Sequence, residues 1–399
     1  MANNKIGIWL RYGYNPTKGG GFSYYDALMS KLDSFHFSNG LEWCFVSPSS
    51  CSEIDNTLCL GLIPDNWKII KILTKNYKIA KGLQYISEIL FRKKWQKKLN
   101  DAGISYIYYI NQDDTILNGF PYVCTIWDMG YYMTYPFPEL IQGRNFKGRK
   151  KHFDEIIPKA LLVLSESEAG KRALIKYANV LEEKIKVIPI FAGNVINLSI
   201  NEDIQHCILD KFGLSENKFF FYPAQFWAHK NHVAILEAFK RFKKEHPDFK
   251  VVFTGGDKGN AEYIKSICSE WELEANVLFL GYVSKETIYT FYKKCTCLIM
   301  ASYFGPTNMP PIEAMHLGCP VICTDVDGHK EILNDSAIYF SAVSWQSLLE
   351  AMCKMLIERD TYISRIIEQS QNSKFNIDYA LTQLDKYLNL ALTIRKTWK

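Results

Sequence analysis

Four residues in the second half of the chain have types and spacings suited to holding an anion beside hydroxyl groups. Lys230 follows a short aromatic run, Phe219–Tyr222, that reads as a strand, so its ammonium stands near a strand end as a point charge. Pro310 and Pro311 open a helix, where proline is tolerated because its missing N–H would be unpaired anyway. Asn308 and Met309 then lie at that helix's N-terminus, whose free N–H groups can hold a phosphate or hydroxyls. Glu313 falls one turn in, and the helix ends near Gly318. Taken singly, Lys230 reads sooner as a solvated lysine, and Glu313 as an acid complementing the helix dipole.

A second stretch suited to an anion lies near the N-terminus. Lys5–Leu10 reads as a strand, Gly19-Gly20-Gly21 as a loop, and Phe22–Leu32 as a helix. That order places backbone N–H groups at a helix start, and glycine lets a ligand approach them closely. The dinucleotide fingerprint GxGxxG is absent, and no GxxxxGK[ST] phosphate loop occurs anywhere. A plain β–α turn without a ligand therefore stands level with an anion site here.

These residues need a scaffold. The chain has 399 residues, 48% apolar and 22% charged, the balance of a globular protein rather than a disordered or collagen-like one. Its length exceeds one comfortable core, so two domains are expected. Short β-branched and aromatic runs alternate with longer helical patterns, which predicts α/β layers on parallel sheets. Further strands are predicted at Trp43–Ser47, Tyr106–Ile110, Tyr122–Ile126, Leu161–Ser165 and Lys186–Ile190. A second series runs from Phe219–Tyr222 through Lys250–Thr254, Val277–Leu280, Cys297–Met300 and Val321–Thr324, and Pro189–Asn194 between the two reads as a hinge. The predicted architecture is α/β, two doubly wound, Rossmann-like domains facing across a ligand cleft. Their bounds are residues 1–192 and 193–375, followed by a helical segment, 376–399.

Eleven cysteines without a CxxC argue for a reducing compartment and against a disulfide framework or structural zinc. The N-terminal stretch has no long apolar run, and no window reaches the roughly 18–20 apolar residues of a membrane span. The expected location is cytoplasmic, with peripheral attachment to the cytoplasmic face of a membrane.

Taken in order, five blocks carry a resemblance. They are Tyr222-Pro-Ala-Gln-Phe-Trp-Ala-His-Lys230, Phe253-Thr-Gly-Gly256, Phe279-Leu-Gly-Tyr-Val-Ser284, Gly305–Pro320 and Asp325-Val-Asp-Gly-His-Lys-Glu331. At these spacings they resemble the retaining nucleotide-sugar glycosyltransferases of the GT-B fold, family 4. In the N-terminal half, Ile126-Trp-Asp128-Met-Gly-Tyr131 and Pro136-Phe-Pro-Glu139 resemble the WDxxH…PEFPE segment of one branch. The resemblance implies transfer of a sugar from a nucleoside-diphosphate-sugar donor to a carbohydrate or lipid-linked glycan acceptor, with retention and without metal or cofactor. It also implies that the N-terminal domain holds the acceptor, the C-terminal domain holds the donor, and the final helix crosses back onto the first domain. Such an enzyme must stabilise a departing nucleoside diphosphate with fixed positive charge and oriented donors. By resemblance, Lys230 binds the diphosphate and Glu313 accepts from the ribose hydroxyls. Asp128 holds an acceptor hydroxyl or faces the reacting carbon, and a turn carboxylate is its equally weighted alternative. Gly20, Gly21, Gln225, Tyr282, Val283, Asn308, Met309 and Pro310 complete the implied donor site.

The chain departs from the family pattern at three places. The motif's first acid falls on Gly305, so contact with the transferred sugar passes elsewhere, and Asn308 is the candidate. Where many members carry an arginine upstream of the lysine, the nearest polar residue is Gln225; the histidine of the N-terminal segment is replaced by Tyr131 or Trp127. Asp325-Val-Asp327 has the form of a metal-binding DxD. Its position after a buried-looking strand matches a βα loop instead, so no metal is expected, and Glu331 reads as a helix-start or loop-fixing residue. His229 and His232 flank Lys230 with a lesser role in the donor site. Two other readings stay open: another GT-B enzyme, such as a sugar-nucleotide epimerase or a phosphorylase, and a catalytically silent sugar-nucleotide-binding or membrane-associated scaffold.

The net charge of +5 is unevenly spread: Asn66–Lys98 holds ten basic residues and one acid, Glu88. Lys68, Lys71, Lys75, Lys78 and Lys81 recur at helical steps opposite Ile69, Ile72, Leu73, Ile79, Ala80 and Leu83, which predicts a basic amphipathic helix. A further basic run lies at Arg144–Lys151. Attachment of Lys68–Lys98 to an anionic membrane, where a lipid-linked acceptor would reside, and a solvated face both fit this pattern. Nucleic acid is not an expected partner, because no recognised binding motif accompanies the charge.

Overall fold

The computed structural model describes residues 4–9, 20–32, 34–47, 69–71, 95–110, 119–130, 137, 145–305 and 307–398. Two parallel sheets organise them. The first joins β1 (Lys5–Trp9), β2 (Glu42–Ser47), β3 (Ile69–Lys71), β4 (Ile104–Tyr109), β5 (Tyr122–Ile126), β6 (Leu162–Ser165) and β7 (Ile185–Val187) in the order β3-β2-β1-β4-β5-β6-β7. The second joins β8 (Phe219–Pro223), β9 (Lys250–Thr254), β10 (Val277–Phe279), β11 (Cys297–Met300), β12 (Val321–Thr324) and β13 (Ala337–Phe340) in the order β10-β9-β8-β11-β12-β13. Every residue of β4, β5, β6, β11 and β12 is buried. Helices cover both faces of such sheets, so their strands appear in sequence as continuous apolar runs rather than alternating ones.

Each sheet reverses its strand order once, between β1 and β4 in the first and between β8 and β11 in the second. In open parallel sheets a ligand crevice lies outside the carboxyl ends of the strands at that reversal. The segments leaving β8 and β11 there are Ala224–Asn231 and Ala301–Asn308, so both loops singled out in sequence arrive at one switch point.

Two strands differ from expectation. Ile69–Lys71 does not begin a basic helix but forms the edge strand β3, in parallel register with Phe45, Val46 and Ser47. Two consecutive β-branched residues suit a strand, and pairing with a neighbouring edge outweighs the helical spacing of the lysines. The remainder of that predicted helix, residues 72–94, lies outside the described residues, as do Gly19, Tyr131 and Glu139. The strand β13 was not anticipated. It extends the second sheet beyond β12, pairing Val321 through Thr324 with Ala337 through Phe340.

The final helix, Ile377–Lys396, begins at Asn376, whose side chain accepts from Tyr379 N, and packs on the first sheet. Tyr106 donates its hydroxyl to Leu388 O at 2.7 Å, and Arg395 Nε donates to Ser105 O at 3.2 Å. Leu381, Leu384, Leu388 and Leu392 form the buried face. No helix among the described residues is long and apolar enough to cross a membrane. The nine described cysteines are all free, and the Cys295 and Cys319 thiols share a hydrogen bond at 3.4 Å in the core rather than a disulfide.

Leu388 is 0% exposed, and removing a buried leucine leaves a cavity costing about 2–5 kcal/mol. Leu388→Ala is expected to lower the thermal unfolding midpoint by several degrees in calorimetry. Tyr106→Phe, which removes a single hydrogen bond, should lower it by less.

Candidate active site

Lys230 closes a single 3-10 turn, Ala228–Lys230, immediately before the helix His232–Phe242. Its backbone is held firmly. Tyr222 donates its hydroxyl to Lys230 O at 2.8 Å, and the next residue, Asn231, takes a left-handed conformation and donates Nδ2 to Ala342 O at 2.9 Å. The side chain crosses to the loop after β11, where Nζ donates to Asn308 Oδ1 at 3.1 Å and to Ser302 Oγ at 3.5 Å. Burial disfavours the charged form and brings its pKa down to about 8, while Asp128 across the cleft opposes the fall.

Asn308 occupies the N-cap position of the helix Met309–Leu317, yet its side chain makes no capping bond. Its amide is used at both ends: Oδ1 receives Lys230, and Nδ2 donates to His329 Nε2 at 3.0 Å. His329 Nδ1 lies 2.9 Å from Thr324 O, which places the ring proton on Nδ1 and leaves Nε2 as the acceptor. Burial lowers the His329 pKa to about 4, so the ring is neutral at physiological pH. The proposed sugar-contacting role for Asn308 is therefore corrected: the amide orients the lysine instead. Gly305 belongs to the same arrangement. It has φ +133°, and a Cβ there would lie 2.6 Å from Asn308 Nδ2, so an acid at this position would displace the amide that holds Lys230.

Glu313 sits one turn into the helix and is buried. Tyr292 donates its hydroxyl to Oε2 at 2.8 Å, and the backbone N–H of Gly193 donates to the carboxylate from the hinge. A Cβ at Gly193 would lie 2.7 Å from Oε1, so glycine is what lets the hinge approach. Burial raises the Glu313 pKa, and these two donors oppose the rise.

The other sequence candidates scatter around this centre. Gly20 and Gly21 form the first turn of the helix Gly20–Leu32 rather than a loop, with Gly21 against the Trp127 ring. Asp128, just past β5, is partly buried, and its Oδ1 accepts from Gly130 N at 2.9 Å. Gln225 serves its own loop, its Oε1 accepting from Trp227 Nε1 at 3.1 Å. Met309 is buried beside Gly193, and Pro310 is partly buried. Val283 and Tyr282 stand on the rim before the helix Lys285–Lys294, Tyr282 63% exposed. His232 is corrected from a donor-site role to a core role: it is buried, stacks on Phe226 at 4.6 Å, and has its pKa lowered to about 3.

Residues 208–373 match the family described as Glycosyl transferases group 1. The matched stretch lies within the second domain and marks a similarity to that family. The O-antigen chain mannosyltransferase RfbU of Salmonella typhimurium is 30% identical over 192 residues, 47% of this chain and 50% of its own. A Campylobacter jejuni protein named N-acetylgalactosamine-N,N'-diacetylbacillosaminyl-diphospho-undecaprenol 4-alpha-N-acetylgalactosaminyltransferase is 28% identical over 181 residues, 45% and 46% of the two chains. The chain thus spans about half the length of the curated relatives it matches. Over the whole chain the fold is GT-B. Anabaena Alr3699/HepE, solved with UDP and glucose, superposes with a TM-score of 0.72 at 16% identity, covering 96% of this chain and 99% of that one. WaaG, a glycosyltransferase involved in lipopolysaccharide biosynthesis, does so with a TM-score of 0.69 at 13% identity over 96% and 99%.

Residues inside and outside the sequence motifs tie the second domain to the first. Glu331, expected to fix a helix start, fixes one in the other domain: its two oxygens accept from Glu168 N and Ala169 N, each at 2.9 Å. Ser167 Oγ accepts from Gly170 N at 2.9 Å, so the first turn of the helix Glu168–Tyr177 is capped from both domains. Asp327 of the DxD-like run pairs with Arg172 at 3.3 Å. Asp26 accepts from Asn194 at 3.0 Å and pairs with Lys285 at 3.1 Å. Phe137 meets Tyr303 and Phe304, and Phe304 stacks on His229 at 4.4 Å. The DGHK run was the available signal for His329. Ser302, Tyr292 and Glu166 carried none.

Glu331→Ala removes both contacts to the opposite helix. The expected result is a larger radius of gyration by small-angle X-ray scattering, with the far-ultraviolet circular dichroism unchanged.

Proposed function

We propose that the chain moves a sugar from a nucleoside-diphosphate sugar to a glycan or lipid-linked acceptor, with retention and without metal. The observation that carries this reading is the convergence of the Lys230 ammonium on a helix start whose N-cap side chain is turned away. A cation and the positive end of a helix dipole repel one another unless an anion lies between them, and a diphosphate supplies that anion. Their joint field favours charge developing on a departing diphosphate without a metal ion. Glu313 keeps lone pairs beyond its two protein donors, so ribose hydroxyls have an acceptor one helical turn away. The acceptor faces the first domain, where Asp128 stands across from Lys230. The relatives' names, a mannosyltransferase and an undecaprenol-linked N-acetylgalactosaminyltransferase, support a glycan or lipid-linked acceptor. The Arg149, Lys150 and Lys151 turn supports an anionic membrane surface nearby, as the Lys68–Lys98 block does in sequence.

Binding of UDP-, GDP-, ADP- and dTDP-sugars, read by thermal shift, tests the reading, and a shift with none of them would favour the silent scaffold. Lys230→Ala is expected to weaken nucleoside diphosphate binding by about tenfold or more, the range for hydrogen bonds to charged groups. Because the lysine titrates near 8 in the free protein, affinity should hold below that pH and fall as pH rises through it. The Lys230→Ala variant should lack that pH dependence. Transfer should survive EDTA, and complete loss would return Asp325 and Asp327 as metal ligands.

A further inference from the structure

The loop that carries Asn308 meets the first domain at one buried carboxyl group. Glu166 directly follows β6 and is 3% exposed. Its Oε2 accepts from Thr307 Oγ1 across the cleft at 3.4 Å. Its Oε1 is buried and has no hydrogen-bond partner among the described residues. Buried polar atoms are nearly always paired, so an orphan of this kind marks a place where a donor arrives from elsewhere. Among the described residues, the titratable groups acting on Glu166 are Asp128 beyond β5, Tyr24 from the first helix and Tyr108 on β4, and none of these is a cation. Burial and Asp128 hold its pKa well above the carboxylate range.

A diphosphate held by Lys230 and the helix Met309–Leu317 lies on the second domain's side of the cleft. The group on its outer phosphate must project away from that helix, past Thr307, towards the ends of β5 and β6. Glu166 stands there. The second domain offers no carboxyl group at position 305, where a Cβ would crowd the Asn308 amide.

We propose that Glu166 is a sugar-contacting residue: its free oxygen accepts a hydroxyl of the donor's sugar, supplying from the first domain the contact that Gly305 cannot make from the second. The proposal rests on the donor-binding reading above. The sugar reaches its place with the domains apart, and closure brings Glu166 onto it with Thr307 aligning the carboxyl group.

Calorimetric titration of the full chain with bare UDP, GDP and ADP, and then with the corresponding nucleotide sugars, separates the two readings. Absence of binding by every bare nucleotide to the wild-type chain would overturn the donor-site reading and this proposal with it. Given binding, Glu166→Leu, which keeps volume without an acceptor, should leave the affinity for the bare nucleotide within about twofold. It should lower the affinity for the nucleotide sugar by about tenfold, as expected for a buried hydroxyl left without its acceptor. Glu166→Gln retains an acceptor oxygen of the same reach and should keep most of the nucleotide-sugar affinity. An unchanged nucleotide-sugar affinity in Glu166→Leu would overturn the proposal and leave the donor site standing. So would equal losses for bare nucleotide and nucleotide sugar, or a loss in Glu166→Gln as large as in Glu166→Leu.

Discussion

The hydrogen bond from Lys230 to Asn308 is the contact on which the rest of the site depends. An ammonium brought into a crevice needs an acceptor, and the acceptor chosen is the residue that would otherwise cap the helix Met309–Leu317. Three consequences follow from that choice. The helix start loses its side-chain cap and remains able to receive an anion. The amide's other end must be satisfied by an acceptor, which requires a neutral His329 with its proton on Nδ1, fixed by Thr324 O. Finally, the space beside the amide must stay empty, which leaves Gly305 without a side chain. A lysine, an asparagine, a histidine and a glycine thus act as one unit, assembled from the segments that leave β8, β11 and β12.

The two domains meet through contacts of unequal strength. The Arg172–Asp327 pair is 60% and 75% exposed, and an ion pair so solvated contributes little. The Glu331 carboxylate, holding two backbone N–H groups at the start of the opposite helix, is a stronger tie, because it serves orphan donors and the helix dipole together. Phe137, Phe304 and His229 add an aromatic contact on another side of the cleft. Contacts of this kind hold a closed form without making it permanent. The DxD-like run takes part as a fastening, since Asp327 begins the short helix that carries Glu331.

Much of the fold was legible because both sheets are covered on both faces. Strands such as Cys297–Met300 and Val321–Thr324 stand out as unbroken apolar runs between helical stretches. The strand β3 was masked by lysines whose spacing imitates a helix, and pairing at a sheet edge is invisible in one sequence. The local setting of Lys230 and Asn308 was legible as well, since a strand end before the one and a proline pair after the other are local signals. Its wiring was not. Asn308 meets His329 only through the fold, and whether its amide caps its own helix or turns to a lysine is decided by what the neighbouring strand delivers. Glu166, within Ser165-Glu-Ser-Glu168, looks like ordinary polar sequence at a helix start. Thr307 of the other domain meets it across the cleft, so part of its setting is a property of two segments at once.

The charges facing one another across the cleft explain why such a site would be divided in this way. The second domain presents an ammonium and a helix N-terminus, while the first presents Asp128 and Glu166. Carboxyl oxygens offer phosphate no cation and accept hydroxyls, so each wall would suit a different part of a nucleotide sugar. An arriving diphosphate would favour the protonated form of Lys230, reversing the depression that burial imposes in the empty cleft. The same negative charge, added beside Asp128, would favour the proton on Glu166 still further. A neutral acid and a fully charged lysine are therefore both reinforced by the ligand that needs them, and a free phosphate gains nothing from the first wall. Discrimination between a nucleotide and its sugar conjugate then follows from closure alone, because only the sugar reaches across to the unpaired oxygen.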